Sequence, residues 1–511
     1  MEELALLFPN LTLGFSTAVS PANLFYCFAG VFVGTLIGVL PGIGPLAAIA
    51  MLLPLTFNLP PVGALIMLAG IYYGAQYAGS TTAILVKLPR ESASVVTCMD
   101  GYEMAKKGRA GPALAVAALG SFFAGTVGVV LIALFGPPIA ELALKFGSAE
   151  YFSLVVMGLI ASAVLAHGSL IKALGMILLG LLFGIVGTDV NSGMSRFAFG
   201  VTGLTDGISF VVIAMGLFGF AEIVSNLERG GAKRDLLFGR IKHLWPTLDD
   251  FRRSWKPAIR GTAIGAFFGT LPGAGPTIAA FSSYALEKKV AKDPSRFGSG
   301  AIEGVAGPES ANNAAAQCAF IPTLTLGIAG SGTMALMLGA LTIQGIAPGL
   351  QVMTQRPELF WGLIASMWIG NGMLVLLNLP LIGLWVKLLT VPYRMLFPAI
   401  MMFMAIGVYS VNNQSLDIYI TLMFGVLGYV FVKLKCEPAP LILAFVLGPL
   451  MEENLRRALL ISRGDPTVFM TRPISAGFLV ATLALLLIMV VPAVRKKRQE
   501  ALEDQPHDTT A

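Results

Sequence analysis

Two polar segments interrupt otherwise apolar stretches of this sequence, and their side chains are suited to binding small ions. Hydroxyl and amide groups donate hydrogen bonds to the oxygens of an anion, and their own oxygens can coordinate a cation such as Na+. We identify these side chains as candidate substrate- and ion-binding groups. The candidates are Gln76, Ser80, Thr81, Thr82, Glu309, Ser310, Asn312 and Asn313.

Glu309 is the ionisable member of this set. On a helix it shares one face with Asn312 and Asn313, because residues three and four positions apart are neighbours. An ionisable side chain within a membrane is costly and is therefore a functional candidate by default. The alternative is that residues 307–310 lie at the membrane interface and only cap a helix.

A Pro-Gly-x-Gly-Pro turn precedes each polar segment, at residues 41–45 and 272–276. The first proline ends a helix, the glycines allow close backbone approach, and the last proline suits the first turn of a new helix. The free N–H groups of that new helix can bind a carboxylate. The predicted substrate contacts are Gly42, Gly44, Pro45, Gly273, Gly275 and Pro276. Carbonyl groups freed by the break could hold Na+ near Pro41, Gly42, Pro272 and Gly273.

These turns belong to an internal repeat in which residues 30–48 align with residues 261–279 at an offset of 231. The polar segments align at an offset of 233, which pairs Gly74 with Gly307. Two broken helices in corresponding halves of a membrane protein indicate a transport site, whereas a single one could equally be a kinked, tightly packed helix. Glycines at a spacing of four residues, as at Gly30 and Gly34, are more typical of helix packing.

The composition predicts an all-α polytopic membrane protein. Of the 511 residues, 56% are hydrophobic and only 12% are charged, and several apolar runs reach the roughly 20 residues that cross a bilayer. We expect about 12 transmembrane helices. The scattered cysteines give no CxxC pair, and the net charge of +6 lies in short loops, so neither a zinc site nor nucleic-acid binding is indicated. The N-terminus has no basic region, and we expect no cleaved signal peptide.

Loop charges predict that the two copies of the repeat are inverted. No basic residue precedes Lys87, whereas the corresponding loops of the second copy, residues 229–260 and 288–296, are rich in Lys and Arg. By the positive-inside rule the basic loops and the C-terminus are cytoplasmic, and the N-terminus is periplasmic. We predict inverted-topology repeats with broken or re-entrant helices. Residues 1–235 form the first, 236–495 the second with extra C-terminal helices, and 496–511 a cytoplasmic tail.

These features favour a secondary transporter that takes up an anionic carboxylate with Na+ or H+. The sequence contains no G-x-x-x-x-G-K-[ST], HExxH or GxSxG pattern, so we predict neither an ATP-driven pump nor an enzyme. We expect no cofactor other than Na+ as a coupling ion. An anion channel or a membrane scaffold without coupled transport is the alternative, and it predicts flux that is independent of an imposed ion gradient.

The sequence resembles the large membrane subunit of the tripartite tricarboxylate transporters, the TctA family. The resemblance lies in G-x3-G-x3-G-V-L-P-G-I-G-P (30–45), YYGAQYAGSTTAIL (72–85), LPGAGP (271–276) and GPESANNA (307–314). It extends over about residues 20–450. It implies a permease in the bacterial inner membrane that works with a small membrane subunit and a periplasmic solute-binding protein. The implied substrates are tricarboxylate or dicarboxylate anions, taken up at the expense of an ion gradient.

Overall fold

The computed structural model describes residues 2–40, 44–87, 91, 93–143, 145–165, 169–189, 192–228, 244–271, 275–346, 349–388 and 393–490. These ranges are almost entirely helical, which confirms the predicted all-α class. A short hairpin pairs β1 (Gly187–Thr188) antiparallel with β2 (Ser195–Arg196).

The described residues of the first half form ten α-helices. They are α1 (Glu2–Ala18), α2 (Pro21–Val39), α3 (Pro45–Leu52), α4 (Pro61–Val86), α5 (Ser94–Lys106), α6 (Ala110–Ala143), α7 (Ser148–Leu165), α8 (Leu170–Gly184), α9 (Phe210–Ala214) and α10 (Ala221–Glu228). A 3-10 turn at Leu53–Thr56 extends α3, and a π-helical stretch at Met215–Phe220 joins α9 to α10.

The second half contains the remaining helices of the described chain. They are α11 (Leu248–Thr270), α12 (Gly275–Val290), α13 (Glu303–Cys318), α14 (Phe320–Leu326), α15 (Gly332–Ile343), α16 (Leu350–Gln355), α17 (Pro357–Asn378), α18 (Ile382–Leu388), α19 (Tyr393–Asn412), α20 (Ser415–Lys433), α21 (Ala439–Ile461), α22 (Val468–Thr471) and α23 (Pro473–Val490).

Five helical segments of the described chain are long and apolar enough to cross a membrane by length and composition. They are Pro21–Val39, Ala110–Leu142, Phe210–Glu228, Pro357–Asn378 and Ser415–Lys433. Further apolar helices, such as Leu170–Gly184, are shorter. The chain is therefore a multi-pass membrane protein, whereas the expected number of about 12 spans stays a prediction.

Helices α2 and α4 approach closely because glycines of α2 face the α4 backbone. A methyl group at Gly30 would lie 2.3 Å from the carbonyl oxygen of Met67, and one at Gly38 would lie 2.6 Å from the Cα of Ala75. Only a residue without a side chain fits at such distances. Because both residue numbers rise together along this contact, the two helices are parallel. The intervening chain, which includes α3, therefore returns to the side on which α2 began, as expected for a hairpin.

Helices α11 and α13 repeat this arrangement. A methyl group at Gly261 would lie 2.1 Å from the carbonyl oxygen of Gly307, and one at Gly269 would lie 2.5 Å from that of Ala315. Helix α12 returns the chain between them, since Arg260 and Glu287 near the open end of the α11–α12 pair form an ion pair at 2.5 Å. Both halves therefore contain a hairpin followed by a helix parallel to its first arm.

The packing places the second part of the repeat in a register that differs from the sequence alignment. Gly30 and Gly261 keep the offset of 231, but their contacts Met67 and Gly307 are 240 positions apart. The residues that end α4 and α14, Lys87 and Gly327, are also 240 positions apart. Both adopt a left-handed backbone conformation.

The alignment of the polar segments at offset 233 is therefore seven residues (240 minus 233), or about two helical turns, away from the structural register. The physical reason is the longer return path of the second hairpin. Helix α12 has 16 residues and residues 291–302 follow it, whereas α3 with its 3-10 extension ends at Thr56 and only residues 57–60 precede α4. A shift of seven residues keeps nearly the same helix face, which is why the sequence gives no sign of it.

Basic loops from both halves meet at one end of the molecule. Lys107 donates a hydrogen bond to the carbonyl oxygen of Ser299 at 2.5 Å, and Arg109 forms an ion pair with Asp250. Loops that the positive-inside rule assigns to one side of the membrane thus lie together.

Asp250 also caps the start of α11, where its side chain and that of Thr247 form reciprocal hydrogen bonds with the backbone. Burial raises the pKa of Asp250, but hydrogen bonds from Arg109 and Thr247 outweigh burial and hold that pKa below its ordinary value. The carboxylate is therefore charged at neutral pH and stabilises the entry to the second hairpin.

Candidate functional site

The two predicted polar segments meet where α4 crosses α13. Gln76 Nε2 donates to Asn312 Oδ1 at 2.7 Å, and Ser80 Oγ donates to a Glu309 carboxylate oxygen at 2.6 Å. A step forward along α4 thus corresponds to a step backward along α13, so the two helices run in opposite directions at this contact. All four side chains are at most 6% exposed. We call the contact of Gln76 and Ser80 with Asn312 and Glu309 the polar crossing.

Helix α5 completes the surroundings of Glu309. Thr97 Oγ1 donates to the second carboxylate oxygen at 2.5 Å, so each oxygen of Glu309 accepts a hydroxyl hydrogen bond. The side chain of Glu309 is fully buried. A buried carboxylate needs such donors because burial otherwise costs several kcal/mol.

The asparagines of α13 extend the network to two further elements. Asn312 Nδ2 donates to Glu91 Oε1 at 3.2 Å, which ties α13 to the connection between α4 and α5. Asn313 Nδ2 donates to Ser121 Oγ on α6 at 2.7 Å. Asn313 also donates to the backbone carbonyl of Glu309 at 3.0 Å, so its amide group is held in one orientation.

A second polar contact joins α4 to α6 and α17. Tyr77 Oη donates to Asn371 Oδ1 at 2.5 Å, and Asn371 Nδ2 donates to the Phe122 carbonyl at 2.9 Å. Asn371 lies in the apolar helix α17 and is 1% exposed. These bonds fix α4 on the side facing α17.

Several buried acceptors near the polar crossing have no hydrogen-bond partner within the described part of the chain. They are Gln76 Oε1, Ser310 Oγ and Gln317 Oε1. An unpaired buried polar atom costs about 1–3 kcal/mol. Since three of them cluster on α4 and α13, this region has hydrogen-bonding capacity that an additional ligand or solvent could satisfy.

A small cavity lies beside the polar crossing. Its polar lining consists of Tyr77, Ser80, Thr81, Ser121 and Asn378. The volume of about 10 Å3 admits roughly one water molecule. A carboxylate substrate does not fit, so the described conformation is closed around the crossing.

Thr81 and Thr82, the two threonines of the first polar segment, differ in their contacts. Thr82 Oγ1 donates to the Gly79 carbonyl of its own helix at 2.9 Å, so its hydroxyl is engaged locally. Thr81 is 3% exposed and lines the cavity. The structure thus brings Thr81, but not the hydroxyl of Thr82, to the site.

The broken-helix turns are described in part. Gly44 caps α3 in an extended conformation and Pro45 is its first residue; Gly275 begins α12 with φ 57° and Pro276 follows. The positive φ explains glycine at position 275. Gly42 and Gly273, which are predicted substrate contacts, and Pro41 and Pro272, near which Na+ is predicted, lie outside the described residues.

The connection between α14 and α15 approaches both turns. Gly332 lies against the Leu46 side chain of α3, and Gly330 lies against the backbone of Leu271 at the end of α11. This connection links the surroundings of the two turns.

Sequence reasoning missed four polar residues of this site: Glu91, Thr97, Ser121 and Asn371. The basic charges around residues 87–109 indicated a solvated loop, and α5 instead folds back against α13. Ser121 and Asn371 had a usable signal, since each is a polar residue within a long apolar helix.

Comparisons with known proteins find one family model and similar curated sequences. The model of the family described as "Tripartite tricarboxylate transporter TctA family" matches residues 24–443. Two proteins of Agrobacterium vitis are similar. One, named "Uncharacterized 52.8 kDa protein in TAR-I ttuC' 3'region", is 59% identical over 98% of this chain and 99% of its own length. The other, "Uncharacterized protein in TAR-II ttuC' 3'region", is 60% identical over 46% of this chain and 98% of its own length. No solved structure matches the chain.

Proposed function

The chain belongs to the tripartite tricarboxylate transporter TctA family, and we propose that it is the large permease subunit of an ion-coupled carboxylate uptake system. A protein of this family is a transporter component and not a member of an enzyme family. The family also implies additional small membrane and periplasmic binding subunits. The coupling ion is Na+ or H+, and the substrate is a tricarboxylate or dicarboxylate anion.

The polar crossing is the observation that carries this proposal. Burying polar side chains in an apolar environment costs free energy, so buried polar residues in a membrane protein are candidates for a functional role. Here Ser80, Glu309 and Asn312 are buried together at the contact of two helices from different halves. The nearby acceptors that have no partner in the described ranges, such as Gln76 Oε1, support a site whose ligand arrives from outside the chain.

In this proposal the site lies between two inverted repeats, each of which contributes part of it. The opposite directions of α4 and α13 at the polar crossing support inversion, because each helix runs parallel to the first arm of its own hairpin. The first turns of α3 and α12 would present free N–H groups to the substrate carboxylates. The proposed repeat boundary at residues 235 and 236 and the tail 496–511 lie outside the described residues.

We also propose a location and an orientation. The protein resides in the bacterial inner membrane with a periplasmic N-terminus and a cytoplasmic C-terminus. The contacts of Lys107 with the α12–α13 connection and of Arg109 with the entry to α11 support a single cytoplasmic end. The periplasmic solute-binding protein would then deliver substrate at the opposite end.

Uptake by the reconstituted complex tests the proposal. Proteoliposomes containing this chain and the small membrane subunit are supplied with the periplasmic binding protein and radiolabelled citrate, succinate or malate. We expect accumulation against a concentration gradient when an inward Na+ or H+ gradient is imposed, and only equilibration without one. Flux that ignores both gradients would instead support the alternative of an anion channel.

A further inference from the structure

Glu309 is a buried carboxylate without an ion-pair partner among the described residues. Its two oxygens accept hydrogen bonds from Ser80 and Thr97 at 2.6 and 2.5 Å, and its side chain is 0% exposed. Every element that contributes to this contact supplies neutral donors. A permanently charged carboxylate in such surroundings is expensive, whereas the protonated acid is tolerated.

The ionisable groups that face this region from the neighbouring elements are engaged elsewhere, with one exception. On α12, Glu287 pairs with Arg260 of α11 at 2.5 Å. On α5, Asp100 accepts hydrogen bonds from three backbone N–H groups and from Tyr284.

The exception is Glu91, whose carboxylate accepts, within the described ranges, a single hydrogen bond at 3.2 Å from Asn312. Glu91 and Glu309 are close enough to repel each other electrostatically when both are charged. Tyr77 on α4 is also within electrostatic range of Glu309, and its hydroxyl donates to Asn371. From α6, the neutral Ser121 faces this region and accepts a hydrogen bond from Asn313.

The hydrogen bonds around Glu309 favour a proton over a metal cation as its ligand. The hydroxyls of Ser80 and Thr97 each donate to one carboxylate oxygen, so both oxygens are already approached by a hydrogen atom. A cation such as Na+ would have to push these oxygens apart before it could coordinate them. A proton needs only a hydroxyl rotation, because Ser and Thr hydroxyls can both donate and accept.

We propose that Glu309 is the site that binds and releases the coupling proton, so that the coupling ion is H+ and not Na+. The proposal rests on the transport function proposed above. The carboxylate takes one proton from water on the outer side and becomes a neutral acid, and it returns that proton to water on the inner side. No electrons are transferred. Ser80 or Thr97 switches from donor to acceptor when the acid forms.

The test uses Glu309→Gln in proteoliposomes of the whole complex, with pyranine inside to report proton entry. Glutamine keeps the shape of the protonated acid but cannot release a proton. We expect wild-type uptake to respond to an inward proton gradient and to acidify the vesicle interior. The variant should lose gradient-driven accumulation by at least about tenfold, and it should no longer acidify the vesicle interior during uptake.

Glu287→Gln is the matched control, because Glu287 is also a buried glutamate but has an ion-pair partner in Arg260. It should keep the response to the proton gradient. If wild-type accumulation follows a Na+ gradient and not a proton gradient, or if Glu309→Gln still accumulates substrate in response to the proton gradient, the proposal is overturned. A wild-type complex that transports no carboxylate at all refutes the transport function itself, and the proton assignment with it.

Thr97→Val keeps the test decisive even if Glu309→Gln does not fold. The substitution removes one donor to the carboxylate, so the proton is held more tightly and half-maximal uptake shifts to higher pH. A purely structural role for Thr97 would lower the rate without moving the pH profile. An unchanged pH profile in Thr97→Val would therefore overturn the assignment.

Discussion

Helix α4 crosses α13 and α14 at two contacts. Their backbone positions are equivalent in the two halves, but one contact is made by polar side chains and the other by aromatic rings. At the structural offset of 240, Ser80 corresponds to Phe320 and Tyr72 corresponds to Asn312. On one side Ser80 donates a hydrogen bond across the contact. On the other side, which we call the aromatic side, the rings of Tyr72 and Tyr73 lie 6.4 and 6.0 Å from that of Phe320.

This difference separates two roles. Glycine-mediated packing fixes the helices in the same way in both halves, so the backbone does not depend on which side chains lie at the crossing. The aromatic side buries large apolar surfaces and stabilises the crossing. The polar crossing supplies hydrogen bonds to a ligand at some cost in stability.

The largest effect should come from breaking the packing that both sides share. Gly265→Val places side-chain atoms where the first carbon already lies 2.2 Å from the Ala311 carbonyl oxygen. We expect a loss of about 3 kcal/mol or more in stability, measured as a lower melting temperature in detergent. Gly34→Val, facing Ile71 at 2.4 Å in the first half, should behave in the same way.

Gly79→Ala is the control for these variants, because no atom lies within 4 Å of the added methyl group. Its melting temperature should stay at the wild-type value or rise slightly, since alanine favours a helix. If Gly79→Ala and Gly265→Val have the same melting temperature, close helix packing does not stabilise the crossing.

Phe320→Ala should have the next largest effect, on stability. Phe320 is fully buried against Tyr72 and Tyr73, and removing a buried phenylalanine costs about 3–5 kcal/mol. Phe320→Leu, which keeps most of the volume, should lose much less and should transport carboxylate at a near wild-type rate per folded molecule. A Phe320→Leu protein that is stable but inactive would place function on the aromatic side.

Asn312→Ala and Ser80→Ala should reduce transport more than stability. Ser80→Ala removes the hydrogen bond to Glu309, and Asn312→Ala removes both the bond from Gln76 and the bond to Glu91. Each bond is worth about 1 kcal/mol in stability. If these groups bind substrate or its coupling ion, uptake by the reconstituted complex should fall by about tenfold, which corresponds to about 1.4 kcal/mol. Wild-type uptake by both variants would contradict the site assignment.

The smallest effect is expected from Tyr73→Phe. The Tyr73 hydroxyl is buried and has no hydrogen-bond partner in the described ranges, so its removal leaves nothing unsatisfied. The melting temperature should stay the same or rise by a few degrees, and uptake should not change. Reduced uptake by this variant would show that the aromatic side takes part in transport.

Much of the framework could be predicted from the sequence. The glycine spacing and the Pro-Gly-x-Gly-Pro turns indicated two related hairpins, and Gln76, Ser80, Glu309 and Asn312 were identified as site residues because they are polar within apolar segments. The structure joins these four side chains by direct hydrogen bonds.

The register and the contributions of α5 and α17 could not be predicted. Matching residue types at offset 233 concealed a shift of two turns, because a seven-residue shift returns nearly the same helix face. Thr97 lies in a stretch whose charges resemble a solvated loop, and only tertiary packing brings it to Glu309. Position 371 in α17 is 294 residues from its partner Tyr77, a distance that no local pattern reports.

The most direct test of a one-sided site compares the equivalent positions 76 and 316. In a variant whose four native cysteines are replaced, Gln76→Cys and Ala316→Cys are labelled separately with a thiol reagent in transport-competent proteoliposomes. We predict that a transported carboxylate slows labelling at Gln76→Cys by at least about tenfold and leaves Ala316→Cys unchanged. Equal protection at both positions, or protection at neither, would contradict a substrate site at the polar crossing.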